Sequence, residues 1–361
     1  MRTDINQEVF FELLKAGLWE KETRLSQYNN IDYSAIMNLA EEQSVFGLVT
    51  AGLEHISDVT VPKDVLLQFI GRTLQIEQQN KAMNEFVARL INLLRKNDVY
   101  TLLVKGQGIA QCYERPLWRS CGDVDLFLSD NNYERAKEVL IPLSSDVEKE
   151  FQLLKHLGMT INGFTVELHG TLRSRLTKRV DREIDQVQNE CFYNGEVRSW
   201  LNENTQVFLP GSNQDMIFVF THILHHLFIE GIGLRQICDW CRLLWTYRDA
   251  IDKHRLESHL RTMGLMTEWK AFADLVVDSL GMPFEAMPFY DSSFKSKGSR
   301  LLSFVLETGN FGHNRIERGE GKFKTLIRRT ADAFKMMRIF PVDAWKMYFG
   351  MIRTGLIIKA G

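Results

Sequence analysis

The run Gly122-Asp123-Val124-Asp125-Leu126-Phe127-Leu128 constrains this chain more than any other stretch. Acids alternate with an apolar residue and then give way to an apolar run, which predicts a short strand. Residues two apart on a strand face the same way, so the carboxylates of Asp123 and Asp125 stand side by side, with Val124 on the opposite face. Neighbouring carboxylates repel unless positive charge lies between them. A hard divalent cation such as Mg2+ meets that need, because it takes oxygen ligands and leaves positions for phosphate oxygens. Taken alone, the same pair also fits two solvated acids at a strand end.

The flanking segments narrow the choice. Residues 100–104 read as a strand that runs into Lys105-Gly106-Gln107-Gly108, followed by a short helical stretch over residues 109–113. Strand, glycine turn and helix start form a recurrent phosphate-binding arrangement, because glycines let the backbone approach and the first helical N–H groups point outward. Downstream, Thr165-Val166-Glu167-Leu168-His169 alternates again and puts Glu167 on one face with Thr165 and His169, as a third carboxylate. Residues 158–168 read as strands joined by an Asn162-Gly163 hairpin turn, and residues 151–156 as another strand that brings His156 toward the acidic edge.

Lys105-Gly106, Tyr113, Arg119, Gly122-Asp123-Val124-Asp125-Leu126 and Glu167-Leu168-His169, together with the later His225-His226 and Leu234-Arg235-Gln236-Ile237-Cys238-Asp239, resemble the nucleotidyltransferase superfamily with the polymerase-β-like fold. More closely, they are similar to its bacterial branch of uncharacterised nucleotidyltransferases associated with polysaccharide gene clusters. The resemblance implies an α+β fold, a small mixed sheet flanked by N-terminal and C-terminal helical subdomains. It implies transfer of a nucleoside monophosphate from an NTP to an acceptor hydroxyl or phosphate. Two Mg2+ ions would be held by Asp123, Asp125 and Glu167, with Glu167 also able to take the nucleophile's proton. Lys105 and the backbone N–H groups of Gly106 and Gln107 would meet the phosphates, and Arg119 would clamp one of them. His169, His225, Arg235 and Asp239 would line the pocket, although Arg235 and Asp239, one turn apart, equally suit a structural ion pair. Gly-Ser or Gly-Gly is usual where this chain has Gly106-Gln107, so no hydroxyl is offered there. A degenerate nucleotide-binding or regulatory protein, and a toxin-like enzyme modifying tRNA or protein, therefore stand as alternatives.

Charge and composition bound the partners. The 361 residues are 45% hydrophobic and 25% charged, with a formal net charge of -2. That is an ordinary globular balance with no global basic field for long nucleic acid. The polar N-terminus lacks an apolar signal core and no apolar run approaches a membrane span, so a cytoplasmic protein is expected. Five scattered cysteines do not make a disulfide framework. Cys238-Asp239-Trp240-Cys241 is a lone C-x-x-C in a helical pattern, read as buried thiols rather than a zinc or redox centre.

Four segments follow from the periodicity. Residues 1–98 read as a helical subdomain, with helices over 8–19, 34–55 and a long one opened by Pro62. Residues 99–210 form the α/β core, in which Asp130 is expected to cap a helix over 132–140. Arg173, Arg175, Lys178 and Arg179 follow Glu167 either as a solvated face or as phosphate neutralisers, and residues 200–209 read as a closing strand or loop. Residues 211–312 are helical again. Ser212 and Asp215 are expected to cap a helix carrying His222, His225 and His226, which suit a core, a pocket edge or a zinc site. Gly231 and Gly233 end that helix before the next one, over 234–247.

Residues 313–361 form a basic amphipathic tail, with Arg315, Lys322, Lys324, Arg328, Arg329, Lys335, Arg338, Lys346, Arg353 and Lys359 among aromatic and aliphatic residues. Such a tail packs on its own protein or lies on an anionic membrane surface.

Overall fold

The computed structural model describes residues 4–310 and 322–354. Helix α1 (Ile5–Trp19) is capped by Asp4, and α2 (Tyr33–Glu42) by Asp32, whose carboxylate accepts from the Ser34 and Ala35 N–H groups. Helix α3 (Phe46–Glu54) is separate from α2, so the single helix expected over 34–55 is broken. The break is at Ser44, held at φ 54°. It has a purpose in the fold: Gln43 is fully buried there, its side-chain oxygen accepts from the Leu234 N–H at 3.0 Å and its carbonyl from the Arg235 N–H at 3.2 Å. Gln43 thereby caps, from a distance, the helix that carries Arg235. Helix α4 (Lys63–Lys96) follows Pro62 as expected.

Strand β1 (Leu102–Val104) leads into α5 (Gly106–Ala110), then β2 (Val124–Phe127), α6 (Asp130–Leu140), β3 (Asp146–Val147), β4 (His156–Ile161) and β5 (Phe164–His169). The sheet order is β1-β2-β5-β4-β3. Strands β2 and β5 pair in parallel, with Asp125 opposite Glu167, while the other pairs are antiparallel. Asn162 (φ 51°) and Gly163 (φ 81°) form the tight β4–β5 turn, in the doubly left-handed conformation such turns need. Residues 151–156 differ from the expected strand. Gln152–Leu154 is one turn of 3-10 helix, Lys155 adopts φ 44°, and the strand starts only at His156. Helix α6 begins at Asp130 itself, which pairs with Lys155 instead of acting as the cap.

Helix α7 (Lys178–Tyr193), capped by Thr177, precedes a separate hairpin of β6 (Val197–Asn202) and β7 (Thr205–Pro210). Next come α8 (Ser212–Ile229), α9 (Leu234–Thr246), α10 (Lys253–Met263), α11 (Met266–Leu280), α12 (Lys295–Thr308), α13 (Lys322–Met337) and α14 (Pro341–Thr354). Gly211, not Ser212, is the N-cap of α8, and the buried Asp215 pairs with Arg198. All five cysteines are free, and burial raises the thiols of Cys238 and Cys241, the latter to about 12, which leaves both unreactive.

The architecture is α+β. One apolar core joins the N-terminal helices to α5 and α7–α14. A second joins the C-terminal half of α4 to the five-stranded sheet, α6 and β7. The site lies where these two cores meet, at the end of β2 and β5.

Candidate active site

Strand β2 is buried along its whole length and supplies the anchor, Asp125, which is 4% exposed. Its Oδ1 accepts from Lys105 Nζ at 2.7 Å and from His169 Nε2 at 2.8 Å. Asp123 precedes the strand and shares its face. In-register parallel pairing then sets Glu167 beside Asp125. One ligand oxygen from each of Asp123, Asp125 and Glu167 lies within 4.8 Å of the others. The His156 and His169 Nε2 atoms lie 3.2 and 3.3 Å from Glu167 Oε2.

The local backbone explains the lysine. Lys105 sits at φ 57° and Gly106 at φ 40°. A Cβ on Gly106 would stand 3.3 Å from the Asp123 carbonyl oxygen, so the turn is tight enough to bring Lys105 back over β2. Burial disfavours the ammonium, but Asp125, Glu167 and Asp123 outweigh burial and raise its pKa. Asp123 moves up, first from burial and then from its two carboxylate neighbours. Glu167 resists its burial because His156 and His169 bond its charged form, and it falls far below the usual carboxylate range. His169, against its own burial, is raised by Asp125 and Glu167.

Gln107 does not line the pocket. Its side chain is buried and donates to Asn80 Oδ1 on α4 at 2.8 Å. Asn80 in turn donates to the carbonyls of Leu117 and Arg119, at 2.9 and 2.7 Å. The residue standing where a phosphate-binding hydroxyl is usual thus fastens the Arg119 loop to the long helix.

Arg119 is a correction to the expected phosphate clamp. It is 6% exposed and spends its fork on Asp239, with both N–O distances 2.7 Å, while its third nitrogen donates to the Ser120 carbonyl. The Tyr113 hydroxyl adds a third bond to Asp239, at 2.7 Å. The expected one-turn Arg235–Asp239 pair is therefore replaced by a buried pair between residues far apart in sequence. Arg235 donates to the Ser120 carbonyl at 3.1 Å, and its buried Nε finds no hydrogen-bond acceptor. Burial, and then Arg119, lower its pKa.

These groups surround a cavity of about 420 Å³. Lys105, Gly106, Asp123, Asp125 and Glu167 form one wall, and Arg119, Arg235 and Asp239 another. His169 and His225 line it too, as do His156, His222, Arg173 and Arg175. Arg173 is paired with Asp185, and Arg175 covers the Phe151 ring. Arg179 instead donates to the Arg261 carbonyl at the surface. His222, His225 and His226 form a wall of imidazoles on α8. Burial, with like-charged neighbours, holds His222 well below its ordinary value and His225 at about 4. They do not converge as a metal cluster among the described residues, whereas the two groups sharing Glu167 do.

The sequence model of the family described as uncharacterised nucleotidyltransferase matches residues 29–280. The chain belongs to that family. The match spans α2 to α11 and so contains every residue of the acidic cluster. Nucleotidyl transfer is the general activity this membership supports. No curated protein and no solved structure matches the chain. In this member of the family the donor set fits a divalent metal: three carboxylates converge at the wall of the cavity, and Lys105 carries positive charge beside them. Sequence reasoning did not reach the Asn80–Gln107 tie or Tyr113's bond to Asp239, because neither partner is signalled by spacing.

Proposed function

We propose that this pocket moves a nucleoside monophosphate from an NTP to an acceptor hydroxyl or phosphate oxygen. The observation that carries the reading is the register of β2 against β5, which gathers Asp123, Asp125 and Glu167 at the cavity wall. These residues would hold two Mg2+ ions, which neutralise phosphate charge and orient the reacting oxygens when bound. The bond from the α-phosphorus to the oxygen bridging it to the β-phosphate breaks, a bond from the acceptor oxygen to that phosphorus forms, and pyrophosphate leaves, with the proton of a hydroxyl acceptor passing to solvent or to the pyrophosphate. Lys105 meets phosphate charge as a point cation. Arg235, which lines the cavity and whose recorded side-chain bond goes to the Ser120 carbonyl, takes the clamp role that Arg119 cannot. Glu167, kept in its charged form by the His156 and His169 imidazoles, is suited to hold metal beside the two aspartates.

Screening the four NTPs with Mg2+ and sugar phosphates for pyrophosphate release tests this. Turnover that disappears in Asp123→Asn is the expected result. No release with any NTP, or equal release by that variant, overturns it. The structural use of Gln107 favours a second reading, a nucleotide-binding protein without turnover, which tight Mg-NTP binding by calorimetry and no pyrophosphate would support.

We also propose that the C-terminal helical pair rests on an anionic membrane surface. Ala333, Met336, Ile339, Phe340 and Ala344 are buried, so one face packs on the protein. Val342, Trp345, Phe349 and Ile352 are exposed at helical spacing on α14, beside Ile327 and Phe334 on α13, with Lys324 and Arg338 exposed nearby. An apolar stripe flanked by cations suits the headgroup region. Arg315 and Lys359 lie outside the described residues. No helix of the described residues is long and apolar enough to cross a membrane.

A further inference from the structure

We propose that His156, Glu167 and His169 form a second metal position beside the three-carboxylate one, and that it takes a borderline divalent cation such as Zn2+, Co2+ or Fe2+ in preference to Mg2+. His156 lies directly across from His169 in the β4–β5 ladder, and Glu167 stands two residues before His169 on the same strand face. One ligand atom from each of the three falls within 4.8 Å of the others. The two imidazole nitrogens approach the same carboxylate oxygen, Glu167 Oε2, at 3.2 and 3.3 Å. Neighbouring ligands of a tetrahedral ion with bonds near 2.0–2.1 Å stand roughly 3.3 Å apart.

The chemistry of the donors separates this position from its neighbour. Asp123 and Asp125 offer oxygen only, which suits Mg2+, whereas two imidazoles and one carboxylate suit softer ions. Three protein ligands leave positions open for an exogenous oxygen, the pattern of a reactive rather than a purely structural site. All three residues line the cavity, so an ion held there faces whatever the pocket binds. Glu167 belongs to both groups, so the two positions share a carboxylate. The inference adds to the nucleotidyl-transfer reading without resting on turnover, because metal binding is measured with no NTP present.

The test is titration of EDTA-treated protein with Co2+ in excess Mg2+, followed by visible absorption and calorimetry. Wild-type protein is expected to bind one equivalent of Co2+ with a ligand-field spectrum that reports nitrogen ligation. His156→Ala, at the pocket rim, is expected to weaken binding by at least about tenfold with an unchanged far-UV spectrum. His169→Asn is a second variant that keeps a polar group in its buried place. Asp123→Asn is expected to keep the Co2+ spectrum. Co2+ binding that is equal in wild type and both histidine variants, or that Mg2+ displaces at equal concentration, overturns the proposal and reduces the histidines to hydrogen-bond partners of Glu167 and Asp125. Absent turnover with the Co2+ spectrum intact counts against nucleotidyl transfer alone.

Discussion

The Lys105 ammonium rests 2.7 Å from the Asp125 carboxylate, so the acid that anchors the cluster carries a counter-charge supplied by the chain itself. Asp123 has no comparable partner among the described ion pairs. The two aspartates should therefore respond differently to the same substitution. Asp123→Asn should abolish Mg2+-dependent NTP turnover, by about 100-fold or more, with an unchanged melting temperature. Asp125→Asn should lose turnover and also about 1–3 kcal/mol of stability, because Lys105 and His169 are left facing a weaker acceptor. Pyrophosphate release and thermal melting on both variants check this.

Arg119 and Arg235 should separate structure from binding. Removing Asp239 leaves the buried Arg119 guanidinium uncompensated, and Asp239→Ala should cost about 3–5 kcal/mol in chemical unfolding. Arg235→Ala should change stability by less than about 1 kcal/mol, since it forms no ion pair among the described residues and its recorded side-chain bond goes to a backbone carbonyl. It should weaken Mg-NTP binding by about tenfold or more, measured by calorimetry.

Glu268 on α11 is 1% exposed, and burial together with the Asp343 carboxylate of α14 raises its pKa to about 8 from an ordinary 4.5. The folded chain holds a proton here that the unfolded chain gives up between those values. Stability should therefore fall as pH rises through that window, by an amount on the order of a few kcal/mol, and level off above it. Glu268→Gln should flatten the decline, because its amide can donate to Asp343 at every pH. Melting curves from pH 5 to pH 9 show whether it does.

If the exposed stripe on α14 meets lipid, the protein should co-sediment with vesicles containing anionic lipid, less so with neutral ones, and the binding should weaken with salt. Trp345→Ala with Phe349→Ala should release it. Equal partition of wild type and double variant would remove the membrane proposal.

Much of the sheet was legible in the sequence because strand period, turn chemistry and acid spacing are local signals. Alternation put Asp123 and Asp125 on one strand face and offered Glu167 as a third carboxylate on another strand, the family resemblance joined the three, and residue types marked the Asn162-Gly163 turn. What was illegible depends on distant partners. Spacing along α9 suggested an Arg235–Asp239 pair, but the tertiary fold brings Arg119 and Tyr113 to Asp239, and their bidentate and hydroxyl bonds win. Ser44 carries no signature of a left-handed break, because the gain lies in capping α9 through Gln43. Ser212 looked like a cap, yet the chain enters α8 through Gly211 so that Asp215 can reach Arg198.

The β4–β5 turn has a consequence for how such a site could change over time. Strand β5 is held in place by β2, so its carboxylate is fixed from that side, whereas β4 takes its alignment from two turn residues and the two-residue edge strand β3. Inserting one residue at Asn162-Gly163 would slide β4 by a single step and turn His156 to the far face, while leaving Asp123, Asp125 and Glu167 where they are. The imidazole contribution could thus be gained or lost by a small edit at a surface loop, independently of the acids.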